Sequence, residues 1–218
     1  MFGLLAWASE VRYAASDPGL PLAERILMGA LTAAAFFACL VLHELSHAVV
    51  ARRFGVRVEG ITLFLLGGVA QIDGQVPSAS QEFAVALAGP ALSLVVACGF
   101  AGLYVSGSNS GAFRAVLFAL AVANLGLCLF NLIPGLPLDG GRLLRAAVWR
   151  TSGSFERGTR VALAGGRMLS AALIVTGAVA LAFAHAAGLW YIAMGVFLAL
   201  MARASARGGA PAARPALA

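Results

Sequence analysis

Residues 26–51 carry the sequence ILMGALTAAAFFACLVLHELSHAVVA, which decides how the rest of the chain is interpreted. The stretch is apolar until His43, Glu44 and His47 appear near its end. A helix needs about 20 residues to cross a hydrocarbon core, so this stretch predicts a transmembrane helix. Each ionisable group inside such a helix costs roughly 2.5 to 3.5 kcal/mol on insertion scales, and three so close together therefore indicate a functional site.

The composition extends the membrane interpretation to the whole chain. Its 218 residues are 61% hydrophobic and 11% charged, whereas a soluble domain carries about 25% charged residues. The mean hydropathy is +0.92. We therefore predict an all-α polytopic membrane protein with about five to six transmembrane helices, and we exclude a secreted disulfide scaffold and a disordered chain. Candidate spans lie at residues 26–51, 80–105, 112–133, 161–185 and 188–202.

The basic residues indicate how the chain is oriented in the membrane. All 15 are arginines, and the formal net charge is +6. If the residues after the first span are cytoplasmic, twelve arginines lie inside, and only Arg12, Arg25 and Arg114 lie outside. This asymmetry follows the positive-inside rule. The positive charge therefore indicates how the chain is oriented in the membrane, and no nucleic acid partner is expected. We predict a bacterial-type cell membrane, with the active site on its cytoplasmic side.

Between the first two spans, residues 56–65 alternate imperfectly between apolar and polar side chains before the pair Gly67 and Gly68. Period two followed by glycine predicts a short β-hairpin or re-entrant element after the first span. Residues 62–69 are a candidate edge for an extended substrate, and the two glycines either form a plain turn or allow close approach. Around this core we expect an interfacial segment or truncated first span at 1–25, a membrane-embedded domain at 26–203 and a disordered cytoplasmic tail at 204–218.

The HExxH motif at residues 43–47 predicts a metal site. Residues four apart share one helix face, so His43 and His47 can bind one Zn²⁺. Glu44, on a neighbouring face, can take a proton from a zinc-activated water and pass it to the leaving amine. HExxH can arise by chance in a soluble helix, but the apolar surroundings argue against chance here.

A catalytic zinc needs a third protein ligand. Of the nine acidic residues, Glu44 and Asp139 are the two that adjoin an apolar span among other site-like residues. Asp139 is therefore the predicted third ligand, and it can also cap the helix that follows it. Cys39, four residues before the first histidine, could ligate as well, although packing is the simpler role for it.

Together these segments resemble the site-2 protease family of intramembrane zinc metalloproteases. The resemblance rests on HELSH at 43–47, LGG at 66–68, AGP at 88–90 and NLIPGLPLDGG at 131–141, and it covers residues 40 to 145 approximately. It implies a minimal form without PDZ or CBS domains, which fit nowhere in this chain. Members often carry Asn three residues after AGP, where this chain has Ser93.

The resemblance also implies roles for individual residues. His43, His47 and Asp139 correspond to the ligands of one zinc ion per chain, and Glu44 corresponds to the catalytic acid and base. Asn131 corresponds to a residue that positions the substrate or stabilises the oxyanion, with a helix-end contact as the alternative. The substrates implied are single-span membrane proteins within the lipid bilayer, often membrane-tethered regulators.

Two other functions remain open from the sequence. A membrane metal-binding protein without hydrolytic activity, such as a transporter or sensor, would not need Glu44 beside the first ligand. An inactive scaffold would be expected to have lost one of the four key residues, and this chain has kept all of them. Both comparisons favour an intramembrane metalloprotease.

Overall fold

The structure, a computed structural model, describes residues 21–64, 67–73, 76–107 and 111–208. Within these residues, five helices are long and apolar enough to cross a membrane, so the prediction of a multi-pass membrane protein is confirmed. A sixth helix, Asp139–Ser152, is short and amphipathic. In chain order the elements are α1 (Leu22–Arg53), β1 (Arg57–Phe64), β2 (Gly67–Asp73), α2 (Ala79–Val105), α3 (Gly111–Asn131), α4 (Asp139–Ser152), α5 (Phe155–Ala182) and α6 (Ala187–Gly208).

Helix α1 contains the whole of the predicted first span and begins four residues before it. Pro21 precedes its first turn, and proline is well tolerated at a helix start because the missing N–H has no intrahelical partner there. The helix ends at two arginines, Arg52 and Arg53, whose charges interact favourably with the carbonyl end of the helix. Most of the predicted 1–25 segment lies outside the described residues.

Strands β1 and β2 pair as a two-stranded antiparallel sheet. Gly67 is paired with Phe64, and Gly68 with Leu63. The glycine pair therefore lies inside the ladder, at the end of β2 that follows residues 65 and 66. Residues 65 and 66, between the two strands, lie outside the described residues.

The described helices fall into two compact units, one ending at Asn131 and the other beginning at Leu132. In the first unit, α1, α2 and α3 pack against one another, with a core of Phe36, Leu40 and Leu120. Ser78 caps α2 by accepting a hydrogen bond from the backbone N–H of Gln81. Helix α2 continues through Pro90, as helices in membranes can when neighbouring groups satisfy the freed backbone.

In the second unit, α4 packs on α5, and α5 packs on α6. Helix α4 ends where Gly153 adopts a left-handed conformation, and Ser154 then caps α5. The cap explains why α5 begins at Phe155, six residues before the predicted span. Residues 209–218, most of the predicted cytoplasmic tail, lie outside the described residues.

Candidate metal centre

Two buried imidazoles face each other one turn apart on α1. His43 and His47 are 2% and 3% exposed, and their ring centroids are 5.0 Å apart with the planes nearly perpendicular. The two Nε2 atoms lie 3.3 Å from each other. The helical spacing of four residues thus directs one nitrogen from each ring toward a common point.

The other nitrogen of each ring is held by α2. His47 Nδ1 lies 2.6 Å from the carbonyl oxygen of Val85, and His43 Nδ1 lies 2.9 Å from the Ser93 hydroxyl oxygen. A carbonyl can only accept, so His47 Nδ1 carries the proton and its Nε2 presents a lone pair. Metal-binding histidines almost always have such a partner on the second nitrogen, because it fixes the ring and its tautomer.

Gly89 makes room for the two rings. A Cβ atom added at this residue would collide with the Nε2 atoms of both His43 and His47. Val85, Gly89 and Ser93 follow at intervals of four residues, so they form one stripe along α2. The outer members of this stripe hold the rings, and the central member leaves space for their ligand atoms.

Asp139 begins α4 and is 8% exposed. Gly140 and Gly141 follow it, and a Cβ at either residue would collide with the backbone of the preceding loop, near Leu132 and Gly135 respectively. Close packing of main chain against main chain thus fixes the position of the Asp139 backbone, from which the carboxylate extends. The glycines of the PLDGG segment are required by this packing.

His43 and His47 in the first unit offer two imidazole nitrogens, and Asp139 in the second unit, also buried, is the third ligand that the sequence predicts. Two imidazole nitrogens and one carboxylate oxygen form a donor set that catalytic zinc takes in proteins. Burial of this set among apolar helices would be costly without a cation to balance it. Zinc is therefore the cofactor that this group fits.

The remaining predicted site residues lie outside this group. Glu44 is half-buried and follows the first ligand directly on α1. Asn131 is the last residue of α3, and its side-chain N–H donates to the carbonyl oxygen of Leu127 at 3.1 Å. Cys39 is buried but is not a member of the metal-binding group.

Sequence reasoning missed how α2 supports the site. The contact at Val85 is made by the main chain, so no side-chain pattern could have indicated it. Ser93 was recognised only as a departure from the family pattern, and the structure assigns it a direct contact with His43. The spacing of four and eight residues along α2 was the available signal for this stripe.

Comparison with known proteins identifies the class. The sequence profile of peptidase family M50 matches residues 31–112 and 106–175. The chain therefore belongs to peptidase family M50, and the resemblance to the site-2 proteases is confirmed.

Particular relatives agree with this assignment. Rip3 of Mycobacterium tuberculosis is 40% identical over 92% of this chain and 52% of its own length. The zinc metalloprotease MJ0392 of Methanocaldococcus jannaschii is 35% identical over 73% of this chain and 46% of its own length. The solved site-2 protease from Methanocaldococcus jannaschii is similar with a TM-score of 0.66 and 25% identity, covering 100% of this chain and 92% of that one. The chain spans about half the length of the curated relatives it matches.

Proposed function

We propose that this protein is an intramembrane zinc metalloprotease that hydrolyses peptide bonds within or near transmembrane segments of other proteins. The observation that carries the proposal is the pair of buried imidazoles, His43 and His47, whose Nε2 atoms lie 3.3 Å apart on one of the five apolar helices among the described residues. A peptide bond inside the bilayer is protected from water, and a metal site among apolar helices is suited to reach it.

The chain's own residues divide the chemistry between holding the metal and moving a proton. His43, His47 and Asp139 would hold a zinc ion, which when bound would make water a stronger nucleophile and polarise the substrate carbonyl. Glu44 lies beside the first ligand on α1, where its carboxylate acts as general base and then as general acid toward the leaving amine. The neighbouring imidazoles are held by α2 throughout, so that the ligand atoms keep their positions.

The substrate must be extended before it can be cut, because a helical peptide hides its carbonyls in its own hydrogen bonds. Among the described residues, β1 and β2 form a sheet of two strands, so each has one edge that the other strand does not cover. An extended substrate can regain its backbone hydrogen bonds by adding to such an edge. Gly67 and Gly68 in β2 would allow its backbone to come close, and Asn131 is a second candidate contact.

The charge pattern and the helices support a proposed orientation and extent for the enzyme. The arginine asymmetry supports an active site toward the cytoplasm of a bacterial-type membrane, with residues 26–203 as the protease domain. The substrates we propose are single-span membrane proteins, including membrane-tethered regulators. Apolar side chains such as Leu31, Phe37 and Leu42 are exposed along α1 and would face lipid or a substrate helix.

The test is cleavage of a single-span substrate by the reconstituted protein and its Glu44→Gln variant. The substitution keeps the shape of the side chain and removes its basic oxygen, so we expect cleavage to fall at least 100-fold, within the range for loss of a general base, while zinc content stays unchanged. Glu24→Gln, at the exposed far end of the same helix, is the control and should cleave like the parent.

Equal cleavage by the parent and Glu44→Gln would refute the catalytic assignment. Retained zinc without any cleavage by the parent, across a panel of single-span substrates, would favour a metal transporter or sensor instead.

A further inference from the structure

The two zinc ligands on α1 are held by partners of different chemistry. His47 is held by a main-chain carbonyl, which accepts whatever side chain Val85 carries. His43 is held by the hydroxyl of Ser93, which can accept or donate a hydrogen bond. The proton position is thus fixed by the backbone in one ring and depends on a side chain in the other.

We propose that Ser93 is a positioning residue that selects the zinc-binding form of His43. For Nε2 to offer a lone pair to the metal, Nδ1 must carry the ring proton and donate it to Ser93 Oγ, 2.9 Å away. This inference rests on the zinc site of the proposed function. It assigns a role to a residue that departs from the family pattern.

The surroundings of this contact leave little freedom for a substitute. Ser93 is 2% exposed and His43 is also 2% exposed, so water cannot easily replace the hydroxyl. Gly89, one turn earlier on α2, leaves no room for a side chain between the rings and α2. The ring of His43 is therefore held between its partner on α2 and the neighbouring imidazole.

Loss of the hydroxyl should remove the acceptor that Ser93 offers to the His43 Nδ1–H. Partners of this kind typically contribute 10 to 100-fold to metal affinity. Ser93→Ala should therefore bind zinc 10 to 100-fold more weakly than the parent. Ser93→Thr keeps the hydroxyl and should recover most of the affinity.

The chain offers a matched control in Ser170. It is 3% exposed and lies in α5, and its hydroxyl donates to the carbonyl oxygen of Gly166 one turn earlier at 2.8 Å. Ser170→Ala removes an equally buried helical hydroxyl that has no part in the metal group. Its zinc affinity should equal that of the parent.

The experiment measures zinc affinity by competition with a chelating dye, using the full chain reconstituted in lipid nanodiscs. The same samples, labelled with ¹⁵N-histidine, are examined by NMR with zinc bound, which is tractable because the chain has 3 histidines. The parent should show protonated Nδ1 atoms on both His43 and His47. In Ser93→Ala the His43 Nδ1 signal should shift and its proton exchange faster, while the His47 signal stays in place.

Three results would overturn the inference. They are an unchanged zinc affinity in Ser93→Ala, an unchanged His43 Nδ1 signal in that variant, or an equal loss of affinity in Ser93→Thr, which would mean that packing and not the hydroxyl matters. Failure of the parent to bind zinc would instead refute the proposed function. The two failures are therefore distinguishable, and neither depends on cleavage.

Discussion

Two helix pairs in this molecule bring glycine to their contacts for different purposes. Between α1 and α2, Gly89 makes room for the ligand nitrogens of His43 and His47. Between α5 and α6, a Cβ at Gly177 would collide with the backbone oxygen of Gly188 and with Ile192. The first contact admits polar side chains, whereas the second brings two helix backbones together.

The difference shows that the same residue type can support chemistry or packing in one membrane protein. Helices in lipid associate through small residues because lipid tails provide no hydrophobic force between them. The polar residues of the two pairs differ accordingly. The Ser170 hydroxyl donates its hydrogen bond to a carbonyl within α5, whereas the Ser93 hydroxyl contacts His43 on another helix.

The largest effect is expected from Gly89→Ala. The added methyl group occupies the space of both Nε2 atoms, so the rings must move and the zinc site should be lost. We expect zinc content after dialysis, measured by elemental analysis, to fall to near zero, with cleavage lost as well. Gly99→Ala on the same helix has no described atom within 4 Å of the new Cβ and should bind zinc normally. Normal zinc content in Gly89→Ala would show that the rings can move aside.

An intermediate effect is expected from Gly177→Ala. Overpacking against α6 should lower the free energy of unfolding by about 1 to 3 kcal/mol, because two of the three nearest atoms, the Gly188 oxygen and the Ile192 nitrogen, belong to the main chain and cannot rotate away. Unfolding of the reconstituted protein in increasing dodecyl sulfate measures this loss. Zinc affinity of the surviving folded protein should equal that of the parent, and a weakened affinity would break the separation between the two pairs.

The smallest effect is expected from Gly102→Ala. This glycine is exposed in α2 and no described atom lies within 4 Å of its future Cβ. Alanine has the higher helix propensity by up to about 1 kcal/mol, so the same unfolding measurement should give an unchanged or slightly higher stability. A clear loss of stability would mean that lipid or a partner needs the open surface at this glycine.

Much of this architecture could be predicted from the sequence. Long apolar stretches predict membrane helices because the bilayer leaves few other structures possible. HExxH indicates a metal site because a helix places His43 and His47 on one face. The choice of Asp139 followed from the scarcity of acidic residues beside apolar spans.

Other features could not be predicted because they depend on how helices cross. The role of Gly89 becomes visible only once α1 lies against α2. The contact of Ser93 with His43 likewise requires the register between the two helices. Gly67 and Gly68 were expected either to form a plain turn or to allow close approach, and the strand pairing of β2 places them in the ladder.

The bond from His47 to the carbonyl of Val85 has a consequence for genetics. Every amino acid has a main-chain carbonyl, so no single substitution at Val85 removes the acceptor itself. Saturation mutagenesis would therefore report position 85 as tolerant of small apolar replacements while the bond persists beneath them. The contact between His47 and position 85 should therefore survive substitution, because the backbone provides it. Among relatives, substitutions that change how the histidines are held are expected at Ser93.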